Sequence, residues 1–270
     1  MTRKPHQKPA AEKVVEERSE LRTPLIYEIV RRDGDEEMAR PAVSLWWSGV
    51  AAGLSISFSL LAQSILELHL PDASWRVLVS SLGYSVGFIM VVLGRQQLFT
   101  ETTVTAVLPV MADFNGGNLW RMARMWIIVW IANTVGTLFA AGFCDLAPVI
   151  SPELRDAMIQ VSRQLMRHGW VDMFFRAISA GFLIAAMVWL MPSAESAQFW
   201  VVGLMTYLIA AGGFAHIVAG SVEAFLLVVN GQLGVGAMLL DFTLPVLLGN
   251  IVGGTALFAL LSYAQVMKEI

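Results

Sequence analysis

The chain has 270 residues, of which 56% are hydrophobic and 14% charged, and a mean hydropathy of +0.64. That balance excludes an ordinary soluble domain; the net charge of −3 says nothing about nucleic acid, but with no basic stripe no nucleic-acid partner is expected. The single Cys144 excludes an intramolecular disulfide and a cysteine metal cluster.

Residues 1–42 hold nine basic and nine acidic residues, half of the chain's 18 Lys and Arg. Apolar residues at Val14-Val15, Leu21, Leu25-Ile26 and Ile29-Val30 predict an amphipathic helix, interrupted by Pro24 and Pro41. Two readings stay open: a solvated tail, or a helix that lies under the membrane domain and regulates it. No early apolar region marks a cleavable signal, so the first span is expected to serve as the targeting signal. The membrane domain is expected over residues 43–267.

Hydropathy predicts six crossings, at about 43–70, 75–98, 121–143, 171–191, 199–229 and 242–266. The second and fifth are interrupted by polar or glycine-rich stretches. The second runs into Gly94-Arg95-Gln96-Gln97-Leu98-Phe99-Thr100-Glu101-Thr102-Thr103. The fifth contains Gly212-Gly213-Phe214-Ala215-His216-Ile217-Val218-Ala219-Gly220-Ser221. Non-helical backbone at mid-depth is stable only where it lines a cavity or is buried in protein, and an ionisable residue there marks a functional site. Between the third and fourth spans, Leu154, Met158, Val161 and Leu165 predict a short interfacial helix.

The two halves repeat. Ala51-Ala52-Gly53 matches Ser179-Ala180-Gly181, and Phe99-Thr100 matches Phe214-Ala215. Asn133-Thr134-Val135-Gly136 matches Asn250-Ile251-Val252-Gly253. Three spans per half predict an inverted repeat, with sites at the broken helices. Twelve basic residues then lie with the N-terminus and four (Arg76, Arg155, Arg163, Arg167) opposite it, which predicts cytoplasmic termini.

These motifs resemble the formate/nitrite transporter family. The matching pieces are Leu98-Phe99-Thr100, Gly213-Phe214-Ala215-His216 and Gly249-Asn250-Ile251-Val252-Gly253-Gly254, within residues 43–267. The wording of the first break is that of a divergent branch. The resemblance implies an aquaporin-like protomer in a homopentamer of a bacterial inner membrane. It implies one pore per protomer for small monovalent weak-acid anions, with no cofactor. It places His216 at the pore centre, bonded to the Thr100 hydroxyl. It places constrictions at Phe99 and Ile184 on the periplasmic side and at Phe88 and Ile209 on the cytoplasmic side. The chain departs from the family at Ala215, where glutamate is usual, and at Gly220, where asparagine is usual. Leu165 lies near the place of an outer lysine, with Arg163, Arg167 and His168 close by.

An anion in an apolar constriction loses much more hydration energy than its neutral acid. Helix N-termini after Thr100 and after Gly220 would favour negative charge there. An imidazole titrates near neutrality, so His216 is expected either to lend a proton, to hold the anion, or to serve as a structural residue bonded to backbone. Glu101 is read as opening the second half-helix, with Glu223 as its mate after the other break. Arg95, Glu101 and Glu223 are read as ion pairs that pin the broken segments, or Arg95 as an anion attractor. Arg176 is read as snorkelling to the interface. The leading function is a pH- or proton-linked anion channel. The alternatives are a neutral-solute channel and a non-transporting scaffold. No nucleophile–base pair or metal-ligand cluster appears in the spans, so no enzyme and no metal are expected.

Overall fold

The computed structural model describes residues 21–269, and every described element is helical. Helix α1 (Thr23–Ala39) precedes α2 (Ala42–His69) and α3 (Arg76–Leu93). Two short helices follow, α4 (Phe99–Thr105) and α5 (Val107–Ala112), then α6 (Gly116–Leu146), α7 (Pro152–Leu165) and α8 (Trp170–Leu190). The second half closes with α9 (Gln198–Ala211), α10 (Ile217–Val229) and α11 (Val235–Val266), the last containing wide π-type turns over Met238–Thr243 and Val252–Ala259. Five of these (α2, α3, α6, α8, α11) are long and apolar enough to cross a membrane. The apolar stretches Phe99–Ala112, Gln198–Ala211 and Ile217–Val229 are shorter.

Local chemistry explains where the boundaries differ from the expected ones. Helix α6 begins five residues before Arg121 because the Asn115 side chain caps it by accepting from the Asn118 amide. Helix α3 stops at Leu93 rather than Leu98, because Arg95 takes a positive φ of 52° that no α-helix continues through. Helix α7 is set by Ser151, which accepts from the Leu154 amide, and by Pro152 in its first turn. It buries Met158, Ile159 and Val161.

Helix α1 buries Tyr27, Val30, Gly34 and Met38. A Cβ on Gly34 would overlap the Thr105 carbonyl, so the α1 backbone touches the end of α4. Its outer face is a network of Arg31 with Glu28 and Asp35 and of Arg32 with Glu28. The Arg31 and Arg32 hydrogen bonds hold the Glu28 carboxyl down at about 2. The expected helix extended back to Val14-Val15, which lie outside the described residues. The Tyr27 and Tyr263 rings lie 6.0 Å apart, so both ends of the described chain meet at one end of the bundle.

Two buried asparagines hold the interrupted segments. Asn133 accepts from the Phe99 amide (2.9 Å) and donates to the Gly49 (2.8 Å) and Gln97 (2.9 Å) carbonyls. Asn250 accepts from the Ile217 amide (2.8 Å) and donates to the Ala177 (2.8 Å) and Ala215 (3.0 Å) carbonyls. The two halves therefore share one bonding scheme. It corrects the expected register: Phe99 corresponds to Ile217, not to Phe214. Arg95 then falls opposite Gly213, and both have positive φ, 52° and 62°. Glu101 falls opposite Ala219, and Glu223 opposite Thr105, so Glu223 is not the mate of Glu101.

Asn133→Ala and Asn250→Ala each strand one buried donor and leave two carbonyls short of a partner. Each is expected to destabilise the detergent-solubilised protein by about 3 kcal/mol, read as a lower thermal midpoint. A surface change such as Trp120→Ala should leave that midpoint in place.

The Glu37 side chain joins α1 to the first break, accepting from Gln97 Nε2 (3.0 Å) and Thr105 Oγ1 (2.8 Å). Desolvation raises its carboxyl above the ordinary 4.5, against the lowering effect of those two bonds. A carboxyl raised in the docked state contributes its full stabilisation below the undocked value and loses it as pH rises through the docked one. Docking of α1 should therefore weaken as pH rises above 4.5, and trypsin should cut faster after Arg31 and Arg32. Glu37→Gln should reduce that dependence, and adding Asp33→Asn, at a carboxyl that burial also raises, should remove the rest. The Glu28 contribution changes only below 4.5, on the way down to about 2, outside the tested range.

Candidate functional site

The site forms where the two interrupted segments meet. Leu98 is the N-cap residue of α4 and His216 that of α10. Helix α10 thus begins at Ile217, four residues before the start expected after Gly220. The reason is that the His216 ring itself caps it: Nδ1 accepts from the Ala219 amide at 3.2 Å. The other nitrogen, Nε2, lies 2.7 Å from Thr100 Oγ1.

These partners assign the tautomer. An Nδ1 that accepts from an amide carries no proton, so the proton sits on Nε2 and is donated to the Thr100 oxygen. An imidazolium would carry a second N–H, pointing straight at the Ala219 N–H. The cap therefore selects neutral His216 with its N–H directed across the junction. Thr100 accepts that bond, and its own hydroxyl proton is left to donate.

Apolar side chains enclose the pair. His216 is 1% exposed and Thr100 fully buried. The Phe88 ring meets the imidazole edge-on at 4.9 Å. Phe88, Leu98, Phe99, Ile184 and Ile209 belong to one buried cluster, with Phe214 packed against it, partly buried. Phe99 also meets Trp126 edge-on at 5.9 Å, and the Trp126 indole donates to the Thr102 carbonyl.

Relative to the termini, the structure reverses the expected sides of Phe99, Ile184 and Ile209, while Phe88, one turn before the cavity-lining Val92, lies toward α1 as expected. Phe99 and Ile184 lie toward α1: Gln97 and Thr105, on either side of Phe99, both bond Glu37. Met187, three residues beyond Ile184, lines a cavity with Glu37 and Arg40. Ile209 lies toward the other end. It is in the last turn of α9, beside Gly213, whose carbonyl accepts from Arg176 at the far end of α8 from Met187. Arg176 is therefore not a snorkelling side chain. It grips the second break and pairs with Asp172 at 2.9 Å.

The expected ion pairs are absent among the described residues. Arg95 is exposed, and no described carboxylate lies within 4.0 Å of it. Glu223 is 8% exposed on α10, and no described residue bonds or pairs with it. Glu101 Oε1 is buried without a partner. At the other mouth, a Cβ on Gly220 would meet Phe242 and Leu165 side chains at 2.8–2.9 Å, so these fill the space of a larger residue. Arg163 is bonded to Gln232 and His168 to Asp172, away from that junction. Sequence reasoning missed Glu37 and Gln97. Their bond crosses 60 positions, and only a polar residue on the apolar face of α1 hints at it.

A helical bundle with two interruptions joined by a histidine–threonine bond defines a membrane transport protein of the channel type. The chain belongs to the formate/nitrite transporter family, whose model matches residues 24–264. It is 45% identical over 254 residues to the inner membrane protein YfdC of Escherichia coli K12, covering 94% of this chain and 82% of that one. It is 28% identical over 243 residues to the formate channel FocA of Haemophilus influenzae, covering 80% and 84%. Among solved structures it resembles a pentameric formate channel with formate bound, with a TM-score of 0.73 at 22% identity over 84% of this chain and 98% of that one. It also resembles an ion channel of the same family, with a TM-score of 0.77 at 19% identity over 89% and 98%.

A positive φ is strained for any residue except glycine, most of all for a β-branched one. With no ion pair at Arg95 among the described residues, Arg95→Gly should leave the thermal midpoint unchanged or higher. Arg95→Val should lower stability by about 1 kcal/mol or more. A fall with Arg95→Gly equal to that with Arg95→Val would show that side-chain contacts, not backbone strain, dominate there.

Proposed function

We propose that this protein is a channel for small monovalent anions of weak acids, of the formate or nitrite kind. In this reading it is a homopentamer with one pore per protomer. It crosses the bilayer of a bacterial inner membrane six times, with both termini in the cytoplasm. The shorter helices α9 and α10 together make the fifth crossing, and α3 with α4 and α5 makes the broken second. The excess of basic residues at the α1 end supports this orientation. The relatives' names and the pentameric neighbour support the solute class and the assembly.

The observation that carries the reading is the buried His216–Thr100 bond, 2.7 Å long, at the N-terminus of α10. A small weak-acid solute entering between Phe88, Ile209, Phe99 and Ile184 meets the Thr100 hydroxyl, whose oxygen accepts from the His216 Nε2–H and whose own proton is left to donate. The helix terminus adds positive potential. A neutral donor holds an anion without trapping it, as conduction requires. Because the cap keeps Nδ1 unprotonated, His216 serves here as a donor and not as the source of a transported proton. Proton linkage then arises at another group or on the solute.

His216→Asn tests this. Asparagine is a good N-cap residue, so the variant should fold and assemble. Its amide is too short to cap Ala219 and reach Thr100 together. Losing the His216 bond that orients the Thr100 donor, about 0.5–1.5 kcal/mol, should slow formate flux into proteoliposomes by roughly two- to tenfold with an unchanged pH profile. A variant with wild-type rates but no pH dependence would make His216 the titrating group instead. No flux of any weak acid through the wild type would overturn the channel reading.

A further inference from the structure

The cavity between α1 and the first break has a volume of about 720 Å³. Helix α1 lines it with Asp33, Glu36 and Glu37, and Arg40 follows at its C-terminal end. The break opposite contributes Arg95, Gln96, Gln97 and Glu101, and Glu195 closes one side. From α8, also packed on α4, only apolar Met187 and Val188 reach it. Carboxyl groups thus outnumber arginines at the mouth of an anion path.

Three oxygen atoms in the cavity wall, Gln96 Oε1, Gln97 Oε1 and Glu101 Oε1, are buried with no hydrogen-bond partner. Gln97 is only 4% exposed, and its Nε2 is committed to Glu37, so the unpartnered end is fixed as the acceptor. Buried acceptors without donors call for a guest that carries protons. Ionised carboxylates cannot meet that need; a protonated carboxyl or a neutral acid can.

The cavity begins where the apolar constriction ends. Glu101 follows Thr100, which holds His216. Met187 lies one turn beyond Ile184, and Val92 one turn beyond Phe88. Arg95 lines the same wall in its strained conformation. Its repeat mate is Gly213, so the fold asks for glycine here and the chain carries a cation instead. Strained backbone of this kind clusters at functional sites.

We propose that Glu101 is the proton-exchange station of the pathway on the α1 side. A weak-acid anion drawn in by Arg95 takes the proton of the Glu101 carboxyl and enters the Phe99–Ile184 constriction as the neutral acid. The O–H bond of Glu101 breaks and one forms on the solute oxygen. Glu101 is left as a carboxylate, and a proton taken up from the bulk solution on the α1 side, through the cavity, restores the acid. No electron is transferred, and in the opposite direction the same step returns the proton. The apolar constriction favours this order because it penalises the anion far more than the neutral acid. The inference rests on the weak-acid channel reading above.

The test uses the full chain in proteoliposomes and measures uptake of two labelled weak acids of different acidity across a pH series. With Glu101 as donor, both acids share one pH midpoint, which belongs to the protein. On its alkaline side the rate falls about tenfold per pH unit, as the protonated fraction of a single carboxyl does. Glu101→Gln should abolish that midpoint while the variant elutes as the same oligomer. Infrared difference spectra of the wild type should show a carboxylic-acid band that titrates with the same midpoint and is missing in Glu101→Gln. A uniform drop in rate with the profile and the band intact would overturn the proposal in favour of a packing role. Two midpoints that track the two acids would overturn it in favour of protonation in bulk water. If the wild type moves neither acid, the channel reading itself fails. Should Glu101→Gln not assemble, Glu101→Asp decides: a shifted shared midpoint supports the station, and an unmoved one overturns it.

Discussion

Breaking a helix inside a bilayer leaves amide and carbonyl groups with no water to receive them, and Asn133 and Asn250 supply what is missing. Each side chain takes one orphan amide at the start of a half-helix and two carbonyls from the chain around it. An asparagine amide suits this task because it is donor and acceptor at once and carries no charge to desolvate. Every feature of the site hangs on these six bonds. They fix where α4 and α10 begin, and so place Thr100 and His216 face to face. They also force the turns before them, which is why the matched positions Arg95 and Gly213 share a left-handed conformation. Glycines let the flanking helices approach: a Cβ on Gly53 would overlap the Asn133 carbonyl, and one on Gly181 the Asn250 carbonyl.

Much of this was legible in the sequence, because it is written in patterns with a direct physical cause. Hydropathy marked the long helices. The Asn-x-x-Gly pairs marked the repeat, since a donor–acceptor side chain beside a close helix crossing leaves few substitutes. The meeting of Thr100 and His216 came from the family resemblance, and their 2.7 Å bond is present. What misled was similarity of side chains without similarity of backbone role. Phe214 looks like Phe99, yet the residue whose amide Asn250 holds is Ile217. Gly220 looks like a helix start, yet its missing Cβ serves the packing of Phe242 and Leu165. The charges at Arg95, Glu101 and Glu223 looked like partners because opposite charges in an apolar segment usually pair. A backbone turn at Arg95, invisible in composition, carries that side chain into a cavity instead. The cavity itself was illegible, since half its wall comes from α1, far away in sequence.

The symmetry of the scaffold makes its asymmetries informative. The two asparagine brackets are equivalent, but what they present is not. The α10 side presents an imidazole, held neutral by its own helix. The α4 side presents a hydroxyl and, one residue on, a carboxyl. Beyond the second break the space is filled by Phe242 and Leu165 around Gly220, and nearby ionisable groups are turned aside into Asp172 and Gln232. Beyond the first break, charged and unpartnered polar groups line an open cavity. A path whose ionisable groups are paired at one mouth and partly unpartnered at the other treats the ionised and neutral forms of one solute differently at its two ends. A symmetric selectivity filter cannot do that, because whatever it does to an anion entering it must also do to one leaving. Here one neutral donor at the centre, the Thr100 hydroxyl oriented by His216, can recognise the oxygen atoms of a solute in either form. In the proposed reading, control of its charge falls to the cavity under α1, where carboxyl groups outnumber arginines.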